Sequence, residues 1–328
     1  MPLAKNKLLE VLDFITAKDE PQLESLHSRQ VVKVRSVFDD PNIVGVGIGE
    51  KVSQNRDTGM ICVCFYVEKK LPLSKISAKN AIPPVVATAG GQSAYTDVKV
   101  VGRLVPQVAP LIQATPIESG FSVGLASQDE AGTVGSIVSK DSRRYILSNA
   151  HVLANNGRAK AGAKILFPGR FDGGKLPGSW VANLTAAAPL VKGGEFVNEV
   201  DAAIAEIRAE HLAGLSFALP GSKKPLRTIL PRLGMTVTKR GRTSGLTSGK
   251  IIDVDFRTLI HYPGLGKVGF TKQVLCERYT AQGDSGALVF DKASGRIVGL
   301  HFSGSAEGSV FNPIASVIAA LGIHFTAG

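Results

Sequence analysis

The sequence predicts a mostly β chain, an all-β barrel or sandwich preceded by a small α+β unit. Three observations carry that expectation. From Gly120 onward, short apolar runs recur between glycine turns, at the spacing of strands in a barrel or sandwich. Glycine is abundant, at 36 residues, and aromatics are only 6%, which favours tight turns and short strands over long helices. Upstream of residue 110, two helical patterns are followed by strand-like alternation.

The elements follow in order. Leu8, Leu12 and Ile15 share one face of a helix over residues 4–18. Pro21 opens a second helix with Leu23, Leu26, Val34 and Phe38 on its apolar side, and Asp39, Asp40 and Pro41 stop it. Val44, Val46 and Ile48 then alternate as a strand. Residues 61–67 form another, with Asn55, Asp57 and Gly59 in the turn between them. Residues 76–93 read as a loop and 96–104 as a third strand. This gives an N-terminal α+β domain over 1–110 and a second domain over 117–328, joined by a linker at 106–116. In the second domain the expected strands are 133–138, 145–147, 201–207, 237–239, 250–254, 287–291 and 296–302. Residues 154–195 read mostly as loops. Ile314, Val317, Ile318 and Leu321 place a helix at 312–323.

Composition narrows the class. A chain of 328 residues is long enough for about two domains at roughly 100–200 residues each. No apolar run approaches the roughly 18 residues of a membrane span, so no membrane partner is expected. The N-terminal segment lacks the apolar core of a secretion signal. Cys62, Cys64 and Cys276 make neither a disulfide framework nor a zinc spacing. Together these favour a reducing, cytoplasmic compartment. Cys62 and Cys64, two apart on a strand, face one side as buried thiols. The net charge of +11 admits nucleic acid or an acidic substrate as partner.

Three segments carry chemistry. Residues 148–153, Ser-Asn-Ala-His-Val-Leu, place His151 at a strand end. Residues 199–204 put Asp201 at the start of another strand. Residues 283–286, Gly-Asp-Ser-Gly, set Ser285 in a tight glycine turn. Gly283 and Gly286 let the backbone bend, so the N–H groups of Gly283 and Ser285 can point into one concavity as an oxyanion hole. His151 would take the serine proton, and Asp201 would hold the imidazole tautomer. Each piece alone has a bland reading as a turn, a core histidine or a cap. The combination, in the order His, Asp, Ser on a β scaffold, does not.

These stretches resemble the chymotrypsin-like (trypsin-like) serine peptidases over roughly residues 117–328. The resemblance implies a chymotrypsin-like double β-barrel, with the site in the cleft between barrels, acting on a protein or peptide substrate without cofactor or metal. Residues 239–249, with 42–49 and 96–102, look like bacterial trypsin-like peptidases related to the plant NARROW LEAF protease. In that group an N-terminal α+β region precedes the protease fold. Val152 stands where secreted relatives carry a disulfide cysteine. No Ile-Val-Gly-Gly start is present to pair with Asp284, which therefore needs another partner, such as an Arg, or is solvated. Tyr279, six before the nucleophile, argues against cleavage after Lys or Arg. Thr280 and His301 stand where glutamate-specific members hold the substrate carboxylate, which implies cleavage after Glu or Asp. Ser303 and Gly304 would pair with the substrate backbone. A core His301 and a strand-satisfying Thr280 are the competing reading.

Two other functions stay open. The cleft could belong to a latent or pseudo-protease that only binds. Lys239, Arg240 and Arg242 could make a basic cluster that touches phosphates, although no nucleic-acid motif supports it. The glycines of Gly45-Val-Gly-Ile-Gly lack a dinucleotide fingerprint and read as turns or bulges in strands. Residues 1–110 could bind a regulatory partner, mediate homo-oligomers or cover the cleft.

Overall fold

The computed structural model describes residues 5–16, 40–53, 56–78, 80–87, 93–104, 117–213, 215–216 and 227–325. The helix expected from Pro21 to Phe38 and the linker at 106–116 lie outside the described residues. The chain is mostly β, with two large sheets forming barrel-like halves.

The N-terminal part contains α1 (Lys5–Thr16), β1 (Ile43–Ser53), β2 (Arg56–Val67), β3 (Val85–Ala87) and β4 (Ser93–Val100). Leu8, Val11, Leu12 and Ile15 fall on one face of α1 and are buried against Ile43, Val46, Ile48, Val63 and Phe65. The loop expected over 76–93 contains the short β3, which pairs Val85 with Tyr95 on β4. The strand expected to reach Leu104 ends at Val100, and Gly102 turns the chain with φ +67°.

The first barrel-like half is built from β6 (Ser122–Leu125), β7 (Gly132–Thr133), β8 (Ser136–Lys140), β9 (Arg143–Ser148), β10 (Lys164–Leu166), β11 (Trp180–Ala187) and β13 (Ala203–Ile207). Their order is β7-β6-β10-β11-β13-β9-β8. Val123, Ile137, Ile146, Ile165, Leu184 and Ala205 fill its interior. A small separate pair joins β5 (Ile117–Glu118) to β14 (Leu215–Ser216). The region read as loop over 154–195 therefore holds two strands. Register shifts at Ile165/Leu166 and Leu184/Ala186 break the alternation that would have marked them.

The second half uses β12 (Phe196–Asn198), β15 (Thr236–Gly241), β16 (Gly245–Tyr262), β17 (Gly266–Glu277), β18 (Leu288–Asp291), β19 (Ile297–Gly304) and β20 (Gly308–Pro313). These join the N-terminal strands in one sheet of order β12-β17-β20-β19-β18-β15-β16-β1-β2-β4-β3, with β16 also paired to β17. The sheet is thus continuous from the second half into the N-terminal part. The strand expected at 250–254 is only the middle of β16. Shifts around Asp253 and Phe256 disrupt its period-two pattern. A short helix, α2 (Ala150–Leu153), follows β9, and α3 (Ile314–Leu321) follows β20. Ile314, Val317 and Leu321 bury one face of α3 against Leu288, Phe290 and Leu300.

The Gly45-Val-Gly-Ile-Gly run, read as turns or bulges in strands, lies in a strand whose register shifts between Ile43 and Gly45 and again between Glu50 and Val52. These glycines lie within β1, and β1 pairs with β16 at Gly45↔Thr258 and Val46↔Arg257. A Cβ on Gly47 would collide with the Asp253 carboxylate, and one on Gly45 with Phe256. Small residues are required there because β16 side chains fill the space.

Candidate active site

His151 stands in α2, immediately after β9, and Asp201 lies two residues before β13 rather than at its first position. Pairing of β9 with β13, Ser148 opposite Ala203, brings the two segments together. His151 Nδ1 donates to Asp201 Oδ2 at 2.6 Å, and the His151 backbone N–H reaches Oδ1 at 3.2 Å. Both side chains are buried. The Tyr262 hydroxyl donates to the same Oδ2 at 2.7 Å. Asn149 Nδ2 donates to the Asp201 carbonyl, and the Asp201 N–H donates to Asn312 Oδ1. Burial alone would raise the Asp201 carboxyl. The neighbouring His151, the Tyr262 hydroxyl and the His151 N–H outweigh it and hold the carboxyl below the usual range. An ionised Asp201 accepts only, so Nδ1 carries the proton and Nε2 is left as the basic nitrogen. That Nε2 is buried without a hydrogen-bond partner.

Ser285 sits at the turn before β18. Gly283 and Gly286 have φ +99° and +95°, in the region that favours glycine. A Cβ on Gly286 would meet the Ser148 hydroxyl and the Thr133 carbonyl. Thr133 fixes the turn from the facing sheet. Its hydroxyl donates to the Gly283 carbonyl at 2.8 Å, and its N–H to the Ser285 carbonyl at 2.7 Å. Ser285 Oγ donates to the Phe302 carbonyl at 3.4 Å.

Asp284 is neither solvated nor paired with an arginine. Its partner is Lys239, with Nζ 3.0 Å from Oδ2 and both side chains fully buried. Ser244 Oγ donates to Oδ2 at 2.5 Å, the Thr243 and Ser244 N–H groups reach Oδ1, and the Ala281 N–H reaches Oδ2. Burial would raise the Asp284 carboxyl, but the Lys239 charge and these donors hold it below its ordinary value. Gly241 leaves room for the carboxylate, since a Cβ there would collide with it. Two of the three residues of the basic cluster are therefore turned inward. Lys239 holds Asp284, Arg242 makes a buried pair with Asp172 at 2.7 Å, and Arg240 approaches Glu118 at 3.7 Å. Lys239 could have been found in the sequence, since it shares the inward parity of Val237 and Gly241 on one strand.

Tyr279, Thr280 and His301 are all buried. Thr280 Oγ1 is 2.7 Å from Ser309 Oγ, and the Tyr279 N–H donates to that same oxygen at 3.1 Å. The Tyr279 and His301 rings lie 6.4 Å apart. The Tyr279 hydroxyl and both ring nitrogens of His301 are buried without a full hydrogen bond. Burial pushes the His301 imidazole down to about 3, although the Asp284 charge and the Val310 backbone pull the other way. Ser303 and Gly304 lie on β19 opposite Val310 and Ser309. The backbone of His301 pairs with Gly286 and Ala287, so this strand directly flanks the nucleophile turn.

Cys62 and Cys64 are buried, with their sulfurs 3.7 Å apart, and Cys276 is buried and free. Among the described residues, no cluster of three or more His, Cys, Asp or Glu side chains could hold a metal ion. No described helix is long and apolar enough to cross a membrane.

No curated protein is detectably similar in sequence. Several solved structures are similar in shape. Thermobifida fusca protease A has 15% identity and a TM-score of 0.45, covering 65% of this chain and 99% of its own. A glutamic-acid-specific serine protease that uses a histidine triad in substrate binding has 17% identity and a TM-score of 0.44, covering 65% and 100%. Cellulomonas bogoriensis chymotrypsin has 14% identity and a TM-score of 0.45, covering 65% and 100%. The trypsin-like peptidase domain family matches residues 132–300, more than half of the sequence. The chain belongs to the trypsin-like peptidase domain family and is a serine endopeptidase.

Proposed function

We propose that Ser285 is the nucleophile, His151 the general base and Asp201 the group that orients it. The observation that carries this reading is the buried 2.6 Å His151–Asp201 contact, with a glycine-turned serine on the facing sheet. Ser285 Oγ attacks the scissile carbonyl carbon as its proton passes to His151 Nε2. The backbone N–H groups of Gly283 and Ser285 receive the oxyanion. The C–N bond then breaks, and the imidazolium proton leaves with the amine. Water, deprotonated by the same imidazole, hydrolyses the acyl-enzyme. In the resting structure Ser285 Oγ faces the Phe302 carbonyl, and His151 Nε2 has no partner. That arrangement favours the latent, binding-only reading. Catalytic hydrogen bonds also often tighten only when substrate binds. A fluorophosphonate probe distinguishes the two. Labelling of the wild type, lost in Ser285→Ala, is expected. An unlabelled wild type would sink the triad.

The pocket reading is cleavage after Glu or Asp, with Tyr279, Thr280, His301, Ser303 and Gly304 as substrate-binding residues. It is supported by the buried His301 ring, neither of whose nitrogens makes a full hydrogen bond, and by the adjacent Thr280–Ser309 hydroxyl pair. A neutral imidazole can donate one hydrogen bond to an incoming carboxylate and take up a proton beside it. Peptides with Glu before the cut should be cleaved far faster than peptides with Lys or Arg, and equal rates would remove the proposal. Two of the three basic residues offered to nucleic acid, Lys239 and Arg242, are engaged internally, which weighs against that alternative. Three free thiols support an intracellular, cytoplasmic enzyme. The β1 glycine run and the 239–249 hairpin support a bacterial relative of the NARROW LEAF protease. Residues 1–110, with a core of their own around α1, would be the accessory unit and 117–328 the peptidase unit. The accessory unit would serve a regulatory partner or self-association.

A further inference from the structure

We infer that Tyr262 is a positioning residue for the catalytic pair, holding the Asp201 carboxylate through Oδ2; this rests on the triad reading above. The phenol donates at 2.7 Å to the oxygen that also holds His151 Nδ1 at 2.6 Å. A fully buried carboxylate needs donors at both oxygens if it is to stay ionised. His151 alone supplies one to each oxygen, both from the residue that must be oriented. Tyr262 is an anchor outside the pair. It fixes the plane of the carboxylate and so the direction in which Nε2 points.

The mounting of Tyr262 suits that task. It is the last residue of β16, opposite Gly266 on β17, and its carbonyl accepts the Leu265 N–H across the turn. Its ring lies 6.1 Å from Phe270 and 6.0 Å from His151, packed on both sides. Burial, then the Asp201 charge, push the phenol well above its usual range. It therefore stays a donor at every working pH and never competes for the Nδ1 proton. The aspartate is approached from β16, the strand that also pairs with β1, rather than from its own sheet.

The test is Tyr262→Phe, which removes one oxygen and keeps the ring. Loss of a hydrogen bond to a charged acceptor predicts a fall in kcat of about 10- to 100-fold per site titrated with fluorophosphonate. KM should stay within about two-fold, because the bond acts on the chemical step. In an Asp201→Asn background, the same substitution should change kcat by less than about two-fold, since the acceptor charge is already gone. An unchanged kcat in the single variant, or an equal loss in both backgrounds, overturns the assignment. If Tyr262→Phe does not fold, 3-fluorotyrosine at 262 carries the test. The downfield proton resonance of His151 Nδ1–H should shift, and an unmoved resonance overturns the proposal. A wild type that takes no probe at Ser285 overturns the triad reading and this assignment with it. A labelled, active wild type beside an equally active Tyr262→Phe overturns this assignment alone.

Discussion

Two buried aspartates, Asp253 on β16 and Asp201 held by the last residue of β16, accept the same kind of hydrogen bond and are shifted in opposite directions. Asp201 receives Tyr262 at 2.7 Å, and Asp253 receives Tyr66 at 2.9 Å. Both carboxylates are wholly buried. Asp201 is held below its ordinary range, whereas Asp253 is pushed up to about 7. Burial raises both. Donors from the Asp255 and Ile48 backbone and from Tyr66 work against it at Asp253 and do not overcome it, and Asp255 adds a like charge. Asp201 has, in addition, the imidazole of His151 on its second face. The comparison teaches that neutral donors alone leave a buried carboxylate raised here, whereas an adjoining imidazole helps to hold one down. The candidate active site holds a group that can carry positive charge against its carboxylate, whereas Arg257, the cation at the junction of β1 and β16, pairs with Asp13.

Asp284 is a third case, with Lys239 as its cation, and removing that cation should move it from the first class to the second. Lys239→Met leaves a buried carboxylate without its counter-charge, which typically destabilises by about 3–5 kcal/mol. Urea unfolding at pH 7 should show a loss of that order. With Lys239 gone, burial would raise the Asp284 carboxyl, so the deficit should shrink at pH 5, where the carboxyl can protonate. A loss independent of pH, or below about 1 kcal/mol, would show that the neutral donors from Ser244, Thr243 and Ala281 suffice, and would break the comparison.

The contrast also explains what the sequence reveals and what it hides. The candidate residues His151, Asp201 and Ser285 stand out in the sequence because each lies in a short local motif whose residue types suit one chemistry. The barrels are legible from glycine-bounded apolar runs. Tyr262 is not, because it lies 61 positions from Asp201 and nothing local distinguishes it from a core tyrosine. β10 and β11 and most of the β16–β17 hairpin are hidden because register shifts interrupt their alternation. The continuity of β1 with β16 is hidden for another reason. Strand pairing between residues more than 200 positions apart depends on side-chain fit, here of Asp253 and Phe256 over glycines.

Asp253→Asn should have the next largest effect, and its sign opposes that expected from an active-site carboxylate. A folded-state value near 7, above the unfolded value of 3.8, means that the folded chain holds the extra proton between them. The stabilisation is complete below the unfolded value and is lost as pH rises through about 7. Between pH 5 and 8 this group alone should remove on the order of 3 kcal/mol from the wild type. Asparagine cannot ionise, so the stability difference, variant minus wild type, should rise by that amount over the same interval. Thermal melts of both proteins at pH 5, 6, 7 and 8 measure it. A parallel pair of curves would place Asp253 with Asp201 and remove the distinction. Asp201 itself contributes in the other sense, since its lowered carboxyl stabilises above the unfolded value and that contribution is lost as pH falls.

Tyr66→Phe is the smallest and most discriminating change. The phenol touches Asp253 edge-on to the neighbouring Phe256 ring, with centroids 4.9 Å apart, so removing the oxygen leaves the packing in place. When Asp253 is protonated, the lost bond is between neutral groups and is worth about 1 kcal/mol. When Asp253 is ionised, the bond is charge-assisted, about 2 kcal/mol, and its loss leaves the carboxylate less well solvated. The variant should therefore lose about twice as much stability at pH 9 as at pH 5, and the pH at which Asp253 titrates should rise further. A difference between the two pH values of the opposite sign would mean that the tyrosine stabilises the protonated acid rather than the anion. The Tyr–Asp pair beside β1 would then differ from the pair in the active site in the direction of its hydrogen bond as well as in its missing cation.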